Sequence, residues 1–163
     1  MNNELIVRNG TNDDTAKVVD LVSASLSEIG FVFSPETSEM DLLDIEKTYP
    51  ENGGAFLIIE TLNGKLVGTV ALLKLDSGTC KLRKMYVDHA YRGKGLGEQL
   101  LKMAIKKAED LQFTKIVLET VHSMKAAINL YQKHGFRPAS GIEIVSPRCD
   151  MVMVKKLSEN PQG

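Results

Sequence analysis

The chain is 163 residues long, with 43% apolar and 25% charged residues. Those are the proportions of an ordinary globular domain, and the length admits one full-sized core while excluding two large domains. Twenty lysines and arginines against 21 acids leave a net charge of −1, so nothing in the overall charge draws the chain to nucleic acid or to an anionic membrane. The longest apolar runs, 55–59 and 70–73, are far shorter than the roughly 20 residues that cross a bilayer. Residues 1–5 lack the basic start and apolar stretch of a secretory signal, and the cytoplasm is the expected compartment. Cys80 and Cys149 stand apart without CxxC spacing, and His89, His122 and His134 show no ligand spacing. Reduced thiols and no metal site are expected.

In chain order, residues 4–9 read as a short strand. Thr11 with Asp14 three residues on resembles a capping box that opens a helix, whose apolar face would be Ala16, Val19, Leu21, Val22 and Leu26, ended by Gly30. Pro35 begins a second helical stretch, in which Met40, Leu42, Leu43 and Ile45 fit helical spacing. Residues 55–61 and 65–75 are rich in β-formers and joined through Asn63-Gly64, and a turn at Asp76-Ser-Gly78 leads into a third run, 79–87. The three predict an antiparallel meander. Within the third run the apolar positions change parity between Leu82 and Met85, which alternation forbids unless one residue bulges out near Arg83 or Lys84. Residues 95–111 form a long amphipathic helix and 115–121 a buried strand, a crossover that makes strands 79–87 and 115–121 parallel neighbours. A shorter helix over 124–134, closed by Gly135, and strands near Phe136 and at 150–157 complete a mixed α/β domain over 1–157. The polar segment 158–163 reads as a frayed tail.

The most informative segment is the loop Asp88-His-Ala-Tyr-Arg-Gly-Lys-Gly-Leu-Gly97. Alternating glycines let a backbone turn with positive φ and approach a ligand closely, at the point where the first N–H groups of a helix have no internal partner. The helix dipole, Arg92 and Lys94 make the loop a cup for an anion, with a diphosphate as its natural occupant. Two familiar phosphate motifs fail on the letters. The triphosphate loop needs Ser or Thr after Gly-Lys, where Gly95 stands, and GxGxxG meets Glu98 or Leu100 at its third glycine.

Arg92-Gly-Lys-Gly-Leu-Gly97 matches the R/Q-x-x-G-x-G/A signature of the GNAT superfamily of acyl-CoA-dependent N-acetyltransferases. Leu82-Arg-Lys-Met-Tyr-Val87 resembles that family's bulged strand, and Ala127-Ile-Asn-Leu-Tyr-Gln-Lys-His-Gly-Phe136 its A-x-x-L-Y-x-K-x-G-F helix. The order of elements, β-α-α-β-β-β-α-β-α-β-β, is also similar. The resemblance implies the GNAT fold, a mostly antiparallel mixed sheet with one splayed parallel pair, and acetyl-CoA as co-substrate without a metal. It assigns the pyrophosphate to Arg92, Gly93, Lys94, Gly95, Leu96 and Gly97. The pantetheine arm falls to the backbone of Met85 and Val87, and the oxyanion to an amide near Tyr86 or Val87. Tyr131 occupies the family's general-acid position. Many relatives carry a Glu as base where this chain has Lys81, so Glu119 becomes the first candidate base, with His122 or a water chain as alternatives. Met124 replaces a common Asn that contacts the cofactor.

The resemblance thus implies N-acetyl transfer to a primary amine of a small or amino-acid-like acceptor, in a chain able to form a homodimer. Lys81, Arg83 and Arg148 are candidates to meet an acceptor carboxylate. A sensor that binds acyl-CoA, or a protein-interaction module, is the competing class.

Overall fold

The computed structural model describes residues 4–157, and the tail expected at 158–163 lies outside them. After strand β1 (Leu5–Asn9) the capping box forms as its residues predict. The Thr11 hydroxyl accepts from the Asp13 amide, and the Asp14 carboxylate accepts from the Thr11 amide at 2.8 Å and from the Arg8 guanidinium at 2.7 Å. Helix α1 (Thr15–Glu28) follows, with Gly30 beyond it at φ +83. Its buried stripe is Val18, Leu21, Val22, Ser25 and Leu26. Ala16 is exposed and Val19 only half-buried: both are apolar but lie off the line that the larger Leu21, Val22 and Leu26 draw toward the sheet.

The second helical stretch is broken rather than continuous. A 3-10 turn over Met40–Leu43 and a single α turn, α2 (Ile45–Thr48), are separated by Asp44 in an extended conformation. Its side chain accepts from the Lys47 amide at 3.1 Å. A short acidic side chain competes for backbone N–H groups and so starts a helix where the apolar spacing alone would have continued one. Leu42 and Ile45 are fully buried, whereas Met40 and Leu43 are largely exposed.

Strands β2 (Ala55–Thr61), β3 (Leu66–Lys74) and β4 (Thr79–Val87) form the expected meander. Helix α3 (Leu96–Asp110), strand β5 (Lys115–Thr120), helix α4 (Lys125–Lys133) and strands β6 (Arg137–Ala139) and β7 (Met151–Lys156) follow. The sheet runs β1-β2-β3-β4-β5-β7-β6, and its only parallel pair among the described residues is β4 with β5, as the α3 crossover requires. Side chains alternate between two cores. Phe56 and Ile58 pack with α1, Leu42 and Tyr49, while Leu57 and Ile59 pack with α3, Tyr131 and Phe136. Each face of the sheet therefore carries its own pair of helices.

Candidate active site

The bulge predicted near Arg83 or Lys84 is present. Gly68 and Thr69 of β3 pair with Val87 and Tyr86, but Ala71 pairs with Arg83, so β4 carries one residue more than its partner. The extra residue is Lys84, at φ +53, and its carbonyl accepts from the Thr69 hydroxyl at 2.7 Å. The insertion resets parity: Leu82 and Met85 face the α3 core, whereas Tyr86 packs in the α1 core. On its other edge β4 pairs with β5 only through Thr79, Cys80 and Lys81. Beyond Lys81 the two parallel strands part. The Asp88 amide donates to Val67 of β3, so by alternation Met85 and Val87 direct their backbone groups into the gap and Tyr86 directs its own toward β3.

The glycine loop stands beside this gap. A 3-10 turn (His89–Tyr91) capped by Asp88 leads to Gly93 and Gly95, at φ +75 and +80, and Gly95 is the N-cap of α3. The amides of residues 93–98 donate to no carbonyl among the described residues, the first such bond being Gln99 to Gly95. A Cβ at Gly93 or Gly95 would meet nothing within 4 Å. The glycines are therefore required by backbone conformation and by access to the amides, not by packing. The Arg92 guanidinium is engaged by Glu28 of α1 and by the Val87 carbonyl, and the Lys94 ammonium lies 5.1 Å from the centre of the Tyr91 ring.

Tyr131, on α4, packs in the α3 core. It is nearly buried, and its ring meets Phe136 edge-on at 5.8 Å. Burial, with smaller contributions from Tyr86 and Cys149, pushes its phenol up to about 12. Tyr86, from the opposite core, is likewise pushed up to about 12 by burial and by Glu39. The two phenols lie in different cores, Tyr131 with α3 and Tyr86 with α1, and the charge of Tyr86 is still felt at Tyr131.

Glu119, near the end of β5, is fully engaged. One oxygen takes Lys81 Nζ and the Val145 amide at 2.8 and 2.9 Å, and the other takes the Ser146 amide at 2.9 Å. Burial opposes ionisation, but these donors outweigh it and the carboxyl is held below its ordinary range. Lys81 is thereby neutralised and not free to meet an acceptor carboxylate. Arg83 and Arg148 belong instead to a buried cluster, which the sequence did not reveal because its members come from distant segments. Arg148 Nη1 donates to Glu39 at 2.8 Å and its Nη2 to the Val32 carbonyl, with the guanidinium 5.3 Å from the centre of the Phe31 ring. Lys84 Nζ lies 3.4 Å and Arg83 Nη2 3.9 Å from Asp41, which also accepts from the Tyr49 hydroxyl. Three cations face two carboxylates here. A cavity of about 560 Å³, lined by Ile29, Phe31, Val121, Ser123, Met124 and Ala127, opens between the end of α1 and the β5–α4 turn.

The model of the acetyltransferase (GNAT) family matches residues 21–136, and this chain belongs to that family. An uncharacterized N-acetyltransferase of Escherichia coli, YjgM, is 30% identical over 136 residues, covering 80% of this chain and 81% of that protein. The N-acetylaspartate synthetase of Danio rerio is 37% identical over 98 residues, which are 60% of this chain but only 35% of that protein. The structure of a phosphinothricin acetyltransferase from Sinorhizobium meliloti in complex with acetyl-CoA shares the fold, with a TM-score of 0.74 at 17% identity over 98% of this chain and 91% of that one. The residues present fit acetyl-CoA: a cup of free amides at a helix mouth suits paired phosphates, and the strand groups turned into the gap, the Val87 carbonyl held by Arg92 apart, suit the amides of a pantetheine arm. No cluster of three or more His, Cys, Asp or Glu suited to a metal occurs among the described residues, and no helix among them is long and apolar enough to cross a membrane.

Proposed function

We propose that this chain transfers the acetyl group of acetyl-CoA to the primary amine of a small acceptor bearing a carboxylate. The carrying observation is the adjacency of two features: the free amides at residues 93–98 and the parting of β4 from β5 beyond Lys81. The first would hold the pyrophosphate through Gly93, Lys94, Gly95, Leu96 and Gly97, with Arg92 at the rim. The second would take the pantetheine arm on Met85 and Val87. The amides of Met85 and Val87 both turn into the gap, and the one not paired with the pantetheine arm would meet a developing oxyanion, a contact worth about 3 kcal/mol. Tyr86 contributes its phenol to the acceptor side rather than its amide. Tyr131 stays protonated at neutral pH and can give its proton to the departing thiolate.

Glu119 has a less favourable geometry for the base. Three donors occupy both of its oxygens, which leaves none open to an incoming amine and makes it a strong anchor for the loop that carries Arg148. Glu119→Gln is accordingly expected to raise the acceptor KM about tenfold by loosening that loop, with kcat changed less than threefold, since loss of a base would instead cost at least about 100-fold in kcat. Steady-state kinetics at varied acceptor concentration separates the two.

The excess of cations around Arg83, Lys84 and Arg148 supports an acceptor with a carboxylate, since a buried positive balance is relieved by an anion. Free thiols at Cys80 and Cys149 suit a reducing compartment, and we place the activity in the cytoplasm. The test is release of CoA thiol from acetyl-CoA with the common L-amino acids and with their decarboxylated amines. Amino acids are expected to exceed the matching amines by roughly 10- to 100-fold in kcat/KM, as for one lost charge-assisted hydrogen bond. Calorimetric binding of CoA without thiol release from any acceptor would favour the sensor.

A further inference from the structure

We propose that Glu39 binds the acceptor's ammonium and takes its first proton, an assignment that rests on the transferase reading above. Glu39 is completely buried. One of its oxygens accepts from Arg148, while Oε2 has no hydrogen-bond partner among the described residues. An orphaned oxygen on a buried carboxylate is costly, and it calls for a donor from outside the chain. The surroundings place that donor. The carbonyl of Ser38, immediately before Glu39, accepts from Lys84 at 2.9 Å and from Arg83 at 3.3 Å. Glu39 is thereby fastened against the bulge of β4, on the face that carries the Tyr86 ring. Arg148 adjoins Cys149 in the chain, and the charge of Cys149 is felt at the Tyr131 phenol. Around Glu39 stand Arg148 from the β6–β7 loop, which donates to it, Lys84 and Tyr86 from β4, which feel its charge, Arg83, which donates to the Ser38 carbonyl next to it, and Asp41 two residues on in the chain.

An alkylammonium brings three N–H donors and cannot attack a thioester until it loses one proton. That proton passes to Glu39 Oε2. The amine lone pair then forms the N–C bond, the C–S bond breaks, and the thiolate takes the Tyr131 proton. The second nitrogen proton restores the phenol, and the proton held by Glu39 is lost once the products have left the site. The balance is ammonium plus thioester giving amide, thiol and one proton. Base and acid thus come from opposite faces of the sheet.

The experiment compares two acceptors at neutral pH: the best amino acid from the thiol-release panel, and hydroxylamine, which is already uncharged and needs no base. Glu39→Gln is expected to lower turnover of the amino acid roughly 100-fold while hydroxylamine turnover and CoA affinity stay within about threefold. Glu39→Asp, which keeps a carboxylate, should recover at least a tenth of wild-type amino-acid turnover, and it supplies the same comparison should the Gln variant fail to fold. An equal loss with both acceptors, or no loss with either, overturns the assignment. Wild-type turnover of hydroxylamine but of no amino acid would overturn it as well. CoA binding without release to any acceptor, hydroxylamine included, would instead remove the transferase reading, and this assignment with it.

Discussion

Tyr131→Phe is expected to lower kcat roughly 100-fold, the typical worth of a positioned acid, while leaving CoA affinity within about twofold. The ring would keep its burial and its edge contact with Phe136, so folding should be nearly unaffected and only the proton donor is removed. The pH dependence follows from the direction of the shift. Because burial raises the phenol to about 12, Tyr131 remains protonated across the usable alkaline range, and the wild-type profile should show no fall in kcat there from its ionisation. Unchanged turnover in the variant would remove Tyr131 from the mechanism. Weaker CoA binding would instead mean that the hydroxyl holds the cofactor.

The second large effect is expected at the helix mouth. Gly95 combines φ +80 with an N-cap position, and open space surrounds its missing Cβ. Gly95→Val would therefore not clash with the protein. It would strain the backbone by about 1–2 kcal/mol and set a branched side chain over the amides of the cup. Calorimetry should show CoA bound at least tenfold more weakly, which is about 1.4 kcal/mol, whereas α3, buried through Leu100, Leu101, Ala104 and Ala108, keeps its packing and the strain lowers the melting temperature by about 2–8 °C. Equal CoA affinity in the variant would exclude the cup as the pyrophosphate site.

Much of this architecture can be read from local chemistry. The capping box at Thr11, the Asn63-Gly64 turn and the α3 stripe are short-range signals, and each forms where its residues require it. The parity change between Leu82 and Met85 also revealed the bulge, because a strand buried on one face by each core cannot change phase without an inserted residue. What the sequence left out depends on distance. Ser38 through Asp41 read as part of an amphipathic helix, yet their surroundings are set by Arg83 and Lys84, some 45 residues later, and by Arg148, 109 residues from Glu39. No periodicity encodes such pairs. Lys81 and Glu119 illustrate the same point: singly they resembled an acceptor contact and a base, and only the parallel register, with Lys81 opposite Val117, makes them partners.

The separation of the two cores has an evolutionary consequence. The amide cup, Met85, Val87 and Tyr131 belong to the layer of α3 and α4, whereas Glu39, Asp41, Tyr86 and Phe31 belong to the layer of α1. Under the proposed assignments, substitutions in the second layer would alter which amine is accepted without disturbing the grip on the acyl donor. A lineage would then diversify its acceptors through one half of the molecule while the other half stays fixed.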